Sequence, residues 1–271
     1  MDGGLRLFDQ KTNKNFAGAL GYNRMNNKTG ADMKRVFFTV SILALVFGVA
    51  ASQEEPQQNI KAGRLEISQK AWDFGFIPKG AKVTHNFLLK NVGNDTLKIT
   101  NVRKSCGCTA APLRKTVLPP GDTTQLEVTF SSGSYQGPVS KAVYVESNDP
   151  IEPFIDVTFL ANVSVPSKSL TFDPFFIKFD TIRQFPVRAS IKVTNIDSQA
   201  ISFSIAEQPL NYVNLKARKK KLDPGKEVEI EVVLTKAPPS GEFGTSFTVV
   251  CDDDKKSRFS IPIQGFYQTP K

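Results

Sequence analysis

A strand pattern that occurs twice, with an offset of 104 residues, constrains the fold of this chain more than any other feature. Apolar and polar residues alternate over residues 126–130, and the same alternation returns over residues 230–234. A period of two places the apolar side chains on one face of a β-strand. The turn sequence at 118–121 likewise returns at 222–225. An offset shared by strands and turns predicts a repeated domain.

Short segments of this kind, separated by turns rich in Gly, Pro, Asn and Asp, follow one another from Leu65 onward. No stretch among them keeps a helical period. Many short, half-buried strands with frequent turns are typical of a β-sandwich. The sequence therefore predicts an all-β protein with two tandem sandwiches, over residues 65–165 and 166–271. Pro166 interrupts the strands at the boundary, and so short a join leaves the sandwiches little freedom relative to each other.

The composition fits two domains of ordinary size. With 271 residues, 40% of them hydrophobic, the chain is long enough to bury two cores. Its three cysteines cannot all pair within one chain, which excludes a small scaffold held together by disulfides. The formal net charge is +9, but the residues after Ala51 hold 28 Lys and Arg against 23 Asp and Glu. This mild excess is not typical of a nucleic-acid-binding protein, so no such partner is expected.

The N-terminal region contains an export signal. Met33-Lys34-Arg35 precedes the apolar residues 36–51, and polar residues follow. This order predicts a secretory signal peptide over residues 33–51, cut after Ala51 or Ser52, and a periplasmic or extracellular protein. The alternative is an uncleaved membrane anchor formed by residues 36–51, although this run is shorter than the roughly 20 residues that span a bilayer.

Two polar segments flank the signal. Residues 1–32 lack an apolar period, so we interpret them as a leader upstream of a true start at Met33, or else as a long cytoplasmic tail. Residues 52–64 are predicted to form a flexible tether.

The first repeat resembles a bacterial family catalogued as domain of unknown function 1573. The matching residues are Trp72-Asp73-Phe74-Gly75, Ile77, Gly80, His85-Asn86-Phe87, Asn91-Val92-Gly93, Leu97, Ser105-Cys106-Gly107-Cys108-Thr109, Pro120-Gly121 and Ser147-Asn148-Asp149-Pro150. The resemblance implies an immunoglobulin-like sandwich, related to the domains of Hydin and sperm proteins and more distantly to pilus chaperones. It implies no reaction. The second repeat is a degenerate copy that matches only the frame, at Asn195, Pro224-Gly225 and the closing strands.

The pair Cys106 and Cys108 is the strongest candidate for chemistry. The thiolates could bind a soft ion such as Cu(I) or Zn(II), which both prefer sulfur. They could instead exchange with other disulfides, because a disulfide between residues this close closes a tight ring. The third alternative is a structural role for two buried thiols. Gly107 would permit a turn that other residues resist, and the cations Arg103 and Lys104 would favour thiolates if they lie close.

The only histidine, His85, shares strand parity with Val83, Phe87 and Leu89. The simpler interpretation is a histidine at the edge of the core whose ring nitrogens bond to backbone groups. The alternative makes His85 a third ligand or a base for the cysteine pair. Trp72 is expected to pack over the end of the core. We assign structural roles to the motif residues Trp72, Phe74, Gly75, Gly107, Pro120 and Gly121.

Two features of the second repeat remain. Cys251 follows inward-facing apolar residues and is expected to be a buried thiol in the other domain from the pair. A basic cluster precedes the 222–225 turn, and it would bind anionic polysaccharide or lipid headgroups if it is more than a solvated loop. Its members are Lys216, Arg218, Lys219, Lys220 and Lys221.

The sequence contains no phosphate-binding glycine loop, zinc-protease helix or nucleophile elbow. The first hypothesis is therefore an exported, non-catalytic cell-envelope protein without a cofactor, which binds an envelope protein or a glycan through exposed strands and loops. Membrane contact would come only from an uncleaved N-terminal segment. The second hypothesis is a periplasmic metal-handling (Cu or Zn) or thiol-redox protein that uses Cys106 and Cys108. A third is an enzyme that uses His85.

Overall fold

The computed structural model describes residues 61–269, and none of these residues is helical. In this part of the chain there is no helix long and apolar enough to cross a membrane. The predicted leader (1–32), signal peptide (33–51) and most of the tether (52–60) lie outside the described residues. The end of the predicted tether is bonded to the first sandwich, because Ala62 N donates to Asn94 Oδ1 (2.9 Å) and Arg64 N to Asn91 Oδ1 (3.2 Å).

Nine strands build the first sandwich. They are β1 (Leu65–Ile67), β2 (Ala71–Ile77), β3 (Lys82–Asn91), β4 (Leu97–Lys104), β5 (Thr109–Ala110), β6 (Val117–Leu118), β7 (Thr123–Ser131), β8 (Gly137–Ser147) and β9 (Phe154–Val163). One sheet has the order β1-β3-β7-β5, and the other the order β2-β9-β8-β4-β6. The predicted alternations point into the core between them, since Leu126, Val128 and Phe130 are fully buried.

Nine further strands build the second sandwich. They are β10 (Leu170–Asp173), β11 (Ile177–Ile182), β12 (Val187–Asn195), β13 (Ile201–Glu207), β14 (Val213–Ala217), β15 (Lys221–Leu222), β16 (Glu227–Leu234), β17 (Gly241–Cys251) and β18 (Arg258–Tyr267). One sheet has the order β10-β12-β16-β14, and the other the order β15-β13-β17-β18, with β11 on the far edge of β18. The prediction of an all-β fold with two immunoglobulin-like sandwiches is confirmed.

Hydrogen bonds recur at the same offset as the sequence pattern. Asn91 is fully buried, and its Nδ2 donates to Asp95 O and Leu118 O, both at 2.8 Å. Asn195 is also fully buried, and its Nδ2 donates to Gln199 O (2.8 Å) and Leu222 O (2.9 Å). Each asparagine therefore ties the end of a central strand to the loop that follows it and to a short strand, β6 or β15.

The two sandwiches share one ten-stranded sheet. Strand β18 of the second runs parallel to β2 of the first, where Phe259 lies opposite Phe76. The rings of these two residues stack with centroids 5.5 Å apart, and Phe76 packs against the core of the second sandwich. The domain bounds drawn from the sequence stay a prediction, but the second sandwich is built directly onto an edge of the first.

Candidate functional site

A disulfide joins Cys106 and Cys108 in the turn between β4 and β5. At this turn the chain leaves the ten-stranded sheet and enters the four-stranded sheet of the first sandwich. Both cysteines are half-buried, while Ser105 and Gly107 are exposed. The pair therefore lies at the surface, and it does not consist of two thiols inside the core.

The backbone holds this turn on both sides. Ser105 N donates to Ala142 O (3.0 Å) on β8, and Ala142 N donates to Ser105 Oγ (3.1 Å). On the other side, Ser131 N at the end of β7 donates to Cys108 O (2.9 Å). Gly107 differs from the expectation, because its φ is not positive and a Cβ there would meet no atom within 4 Å. Nothing in the backbone requires glycine at this position.

Hydroxyl groups surround the disulfide. Thr109 Oγ1 lies 3.4 Å from Cys106 Sγ and 4.0 Å from Cys108 Sγ. The phenol of Tyr135 donates to Cys108 Sγ at 3.7 Å. Lys141 Nζ lies 5.0 Å from the centroid of the Tyr135 ring. Two hydroxyl donors thus face the sulfur atoms, and an ammonium group lies beside the ring of one of them.

The two cations that precede the pair in sequence are placed differently from expectation. Arg103 Nε bonds to Glu146 Oε1 at 2.5 Å, and its guanidinium lies 5.6 Å from the centroid of Tyr144. Its charge is therefore compensated on β8. Lys104 is exposed at the end of β4.

Metal binding by the pair stays a prediction, and it would require reduction first, since a disulfide has no thiolate to offer. Among residues 61–269 there is no group of three or more His, Cys, Asp or Glu side chains arranged to hold a metal ion.

The structure does not bring His85 to the cysteine pair. Its ring stacks on Trp72, with centroids 3.9 Å apart and planes 6° from parallel. Its Nδ1 lies 3.0 Å from Oε2 of Glu207, in the second sandwich, and this contact replaces the expected backbone partners. The guanidinium of Arg258, also in the second sandwich, lies 4.3 Å from the centroid of Trp72. His85, which the sequence offered as a ligand or base, and Trp72, which was expected to pack over the end of the core, therefore both belong to the joint between the sandwiches.

The joint also contains hydroxyl and backbone contacts. Ser260 Oγ donates to Phe74 O (2.7 Å), and Thr84 N donates to Ser246 Oγ (2.9 Å). Gly75 has a φ of +66°, and a Cβ there would lie 2.0 Å from Arg258 O. Only glycine combines this left-handed conformation with so close an approach of another backbone.

Burial near the joint shifts the pKa of two ionisable groups in the second sandwich. Burial lowers the pKa of Arg258 from its ordinary value, although Asp73 and Glu207 oppose this effect. Burial, assisted by Glu127 of the first sandwich, raises the pKa of Tyr212 to about 12. Two of these acids, Asp73 and Glu127, come from the first sandwich, whereas Arg258 and Tyr212 belong to the second, so both electrostatic effects act across the joint.

Sequence reasoning missed the partners in the second sandwich: Ser246, Ser260, Glu207 and Arg258. A usable signal was present in the differences between the copies. Strand registers place Ile177 where the first copy has Trp72, and Ala189 where it has His85. Trp72 and His85, which only the first copy has, are residues that meet the other copy.

Cys251 is a free thiol, 2% exposed, as predicted. Burial raises its pKa to about 12, with smaller contributions from Asp253 and Asp252. A thiol so hard to ionise is inert toward exchange at neutral pH.

The basic cluster is exposed but does not form one face. Lys216 lies on β14 opposite Glu231 of β16, whereas Lys221 lies on β15 opposite Ser202 of β13. The run therefore passes from one sheet to the other. A groove beside Lys216 and Arg218 also contains Glu229 and Glu231, which reduce its positive potential. Anion binding by Lys216, Arg218, Lys219, Lys220 and Lys221 stays a prediction.

An apolar groove lies at the end of the first sandwich where the described chain begins. Val92, Pro150 and Ile151 line it, and Val92 and Ile151 are 48% and 70% exposed. Phe154, in the same hairpin as Ile151, is 64% exposed. Single exposed apolar residues are ordinary, but several together are typical of an interaction surface.

Residues 65–163 match the model of a family described as "Protein of unknown function (DUF1573)". No curated protein matches the sequence.

Among solved structures, the chain is similar to a protein of unknown function from Porphyromonas gingivalis W83, with 11% identity and a TM-score of 0.35, over 74% of this chain and 99% of that chain. It is also similar to the ASH/PapD-like domain (PapD-like domain 7) of human CEP192, with 14% identity and a TM-score of 0.33, over 46% and 97%. The secreted serine protease VesC from Vibrio cholerae matches with 14% identity and a TM-score of 0.32, over 75% of this chain and 51% of that chain.

Proposed function

We propose that this chain, whose first sandwich is a domain of the DUF1573 family, is an exported, non-catalytic envelope protein that binds another protein. The observation that carries the proposal is the apolar groove beside Val92 and Ile151. The second sandwich has Lys255 at the position of Ile151, so only the first copy carries the apolar pair.

The joint supports this function because it makes one body of the two sandwiches. The shared sheet, the Arg258 guanidinium over Trp72 and the close approach at Gly75 fix the second sandwich on the side of the first. A partner that contacts the groove would therefore meet a preformed surface, which lowers the entropy lost on binding.

A protein partner fits the groove better than a glycan. The most exposed apolar side chains of the groove, Val92 and Ile151, are aliphatic and would be covered best by apolar side chains, while Arg64 and Asn94 add polar groups to the lining. Carbohydrate sites depend more on polar groups that hydrogen-bond sugar hydroxyls.

Site-specific photocrosslinking in cells that produce the chain tests this proposal. A photoreactive residue at Val92 is expected to cross-link a discrete protein, and Ile151→Asp is expected to abolish that product. Ile196 is the matched control, since it lies 104 residues after Val92 and is 44% exposed. Equal cross-linking from both positions, a product that persists in Ile151→Asp, or a product that only glycosidases remove would contradict a protein partner at this groove.

Export has a separate test. Protein recovered from cells is expected to begin at Ser52 or Gln53, and protease added to cells with a permeable outer envelope is expected to reach it. An intact Met1 or Met33 terminus on protein confined to the cytoplasm would overturn export without bearing on the groove.

A further inference from the structure

The Cys106–Cys108 disulfide does little as a cross-link. It connects residues two positions apart and lies within one turn, so it joins neither two strands nor two sheets. Disulfides stabilise a fold mainly by restricting the unfolded chain, and this restriction is small for a short loop. A half-buried disulfide with a minor structural role is available for another use.

The two sulfurs have different surroundings. Cys108 packs against the core of the first sandwich, and Ser131 N holds its carbonyl. Cys106 is not part of that core and lies between the exposed Ser105 and Gly107. A thiol approaching from solvent therefore meets Cys106 with less obstruction than Cys108. Attack on a disulfide requires access along the line of the two sulfurs, so this asymmetry selects one sulfur.

Hydrogen-bond donors favour departure of the inner sulfur. Tyr135 donates to Cys108 Sγ, and Lys141 places an ammonium group beside the Tyr135 ring. Thr109 Oγ1 lies nearer to Cys106 Sγ (3.4 Å) than to Cys108 Sγ (4.0 Å), so Tyr135 is the donor that distinguishes Cys108. A thiolate that forms on Cys108 would accept the Tyr135 hydrogen bond at full negative charge, where it is strongest. A better-stabilised leaving thiolate leaves faster.

We propose that this disulfide is a thiol-exchange site that oxidises a dithiol reaching Cys106 from solvent. A thiolate of that dithiol attacks Cys106 Sγ, the Cys106–Cys108 bond breaks, and Cys108 leaves as a thiolate. The second thiolate of the dithiol then attacks the first sulfur of the dithiol, which is bonded to Cys106 Sγ in the mixed disulfide. Cys106 leaves as a thiolate. The dithiol loses two electrons and two protons and becomes a disulfide, while Cys106 and Cys108 gain them and become thiols.

Single-cysteine variants of the purified chain test which sulfur reacts. At a pH above the ordinary thiol pKa of about 8.5, where both thiols are ionised and access sets the rate, the Cys106 thiol of Cys108→Ser is expected to react with glutathione disulfide about ten times faster than the Cys108 thiol of Cys106→Ser. The two cysteines lie in one tryptic peptide, Ser105 to Arg114, so mass spectrometry can follow both variants on the same peptide. Equal rates, or a faster Cys108, would overturn the assignment.

Reduction of the natural disulfide by dithiothreitol tests the leaving group. Tyr135→Phe is expected to slow reduction by roughly three- to ten-fold, because the departing thiolate loses its donor. Tyr144→Phe is the matched control: this tyrosine lies on neighbouring β8 and contacts Arg103, so its loss is expected to leave the rate unchanged. Circular dichroism checks that both variants are folded. If Tyr135→Phe and Tyr144→Phe react at the same rate, or if the folded protein resists dithiothreitol, the proposal fails.

Discussion

The first and second sandwiches place their opening parallel strands in the same way. Trp72 of β2 lies opposite Phe159 of β9, and 104 residues after Phe159 the corresponding Ile263 of β18 lies opposite Ile177 of β11. Both opening strands shift register at the same point, just after Asp73 in one and Lys178 in the other. The frame of the fold is therefore equal in the two copies.

The outer edge of these strands is where the copies differ. On β2 the register shift contains Gly75, and the backbone of Arg258 comes so close to it that no side chain fits. On β11 the same position is Asp180, which carries a side chain. The first copy is shaped to receive a neighbouring sandwich, and the second copy is not. Trp72, Gly75 and His85, which distinguish the first copy, therefore form the joint with the second sandwich.

The largest effect is predicted for the two buried asparagines that the sandwiches have in common. Asn91→Ala and Asn195→Ala are each expected to lower the free energy of unfolding by about 3–5 kcal/mol, because buried carbonyls and amides lose their partners. Chemical denaturation followed by tryptophan fluorescence and circular dichroism measures both. A cost at one position only would show that the two frames are not equivalent.

The joint makes the next prediction. Gly75→Ala is expected to cost about 2–4 kcal/mol, from the left-handed backbone and from the clash with Arg258 O. Gly80→Ala is the control, since φ is +75° there but a Cβ would meet no atom within 4 Å. It should cost only about 1 kcal/mol. Denaturation of Gly75→Ala is expected to separate into two transitions, one for each sandwich. A single transition with the cost of Gly80→Ala would refute the role of the joint.

The acid response tests a pair of equivalent carboxylates, Asp149 and Asp253. Burial alone would raise the pKa of Asp149, but the N–H groups of Ile151, Leu65 and Glu152, with Arg64, lower it below the ordinary 3.8. Burial would likewise raise the pKa of Asp253, but hydrogen bonds from Ser169 and Ser257 outweigh this effect and lower it.

Because the unfolded chain binds the proton more tightly, these groups contribute stability above about pH 4 that is lost as the pH falls through the lower folded value. Asp149→Asn and Asp253→Asn are each expected to lower stability at neutral pH by about 1–2 kcal/mol and to flatten its decline below pH 4. Urea denaturation at several pH values measures this slope. An unchanged slope in both variants would contradict the assignment.

The smallest effect is expected for the Cys106–Cys108 disulfide, which only the first copy has. Cys106→Ser combined with Cys108→Ser should cost about 1–2 kcal/mol at most, since the closed loop is short. The loss of stability is measured by comparing the thermal midpoint of this variant with the midpoints of the natural protein and of the protein reduced by dithiothreitol. A loss as large as that of Asn91→Ala would make the disulfide a structural element of the first sandwich.

Much of the fold could be predicted because it depends on the local alternation of apolar and polar residues. Alternation at Leu126, Val128 and Phe130 showed which face of β7 is buried, and turn residues such as Gly121, with a φ of +79°, marked where strands end. The proximity of Cys106 and Cys108 also followed from their spacing. Their pairing with each other, against the alternatives of a metal or two buried thiols, did not.

The placement of His85 was beyond local reasoning. Strand parity put its side chain on the inner face, and this was correct, but Glu207 is 122 residues further along the chain. No periodicity connects two residues so far apart. The arrangement of the basic cluster was also beyond local reasoning, because the chain changes sheets between Lys216 and Lys221.

By itself, the sequence determined the secondary structure, the duplication and the inward faces of the strands, because each depends on side chains a few positions apart. Only the tertiary structure decided what the motif residues of the first copy do. The joint depends on which backbone approaches Gly75 and which charges meet at Trp72, and these contacts form between residues whose only connection is the packing of one sandwich on the other.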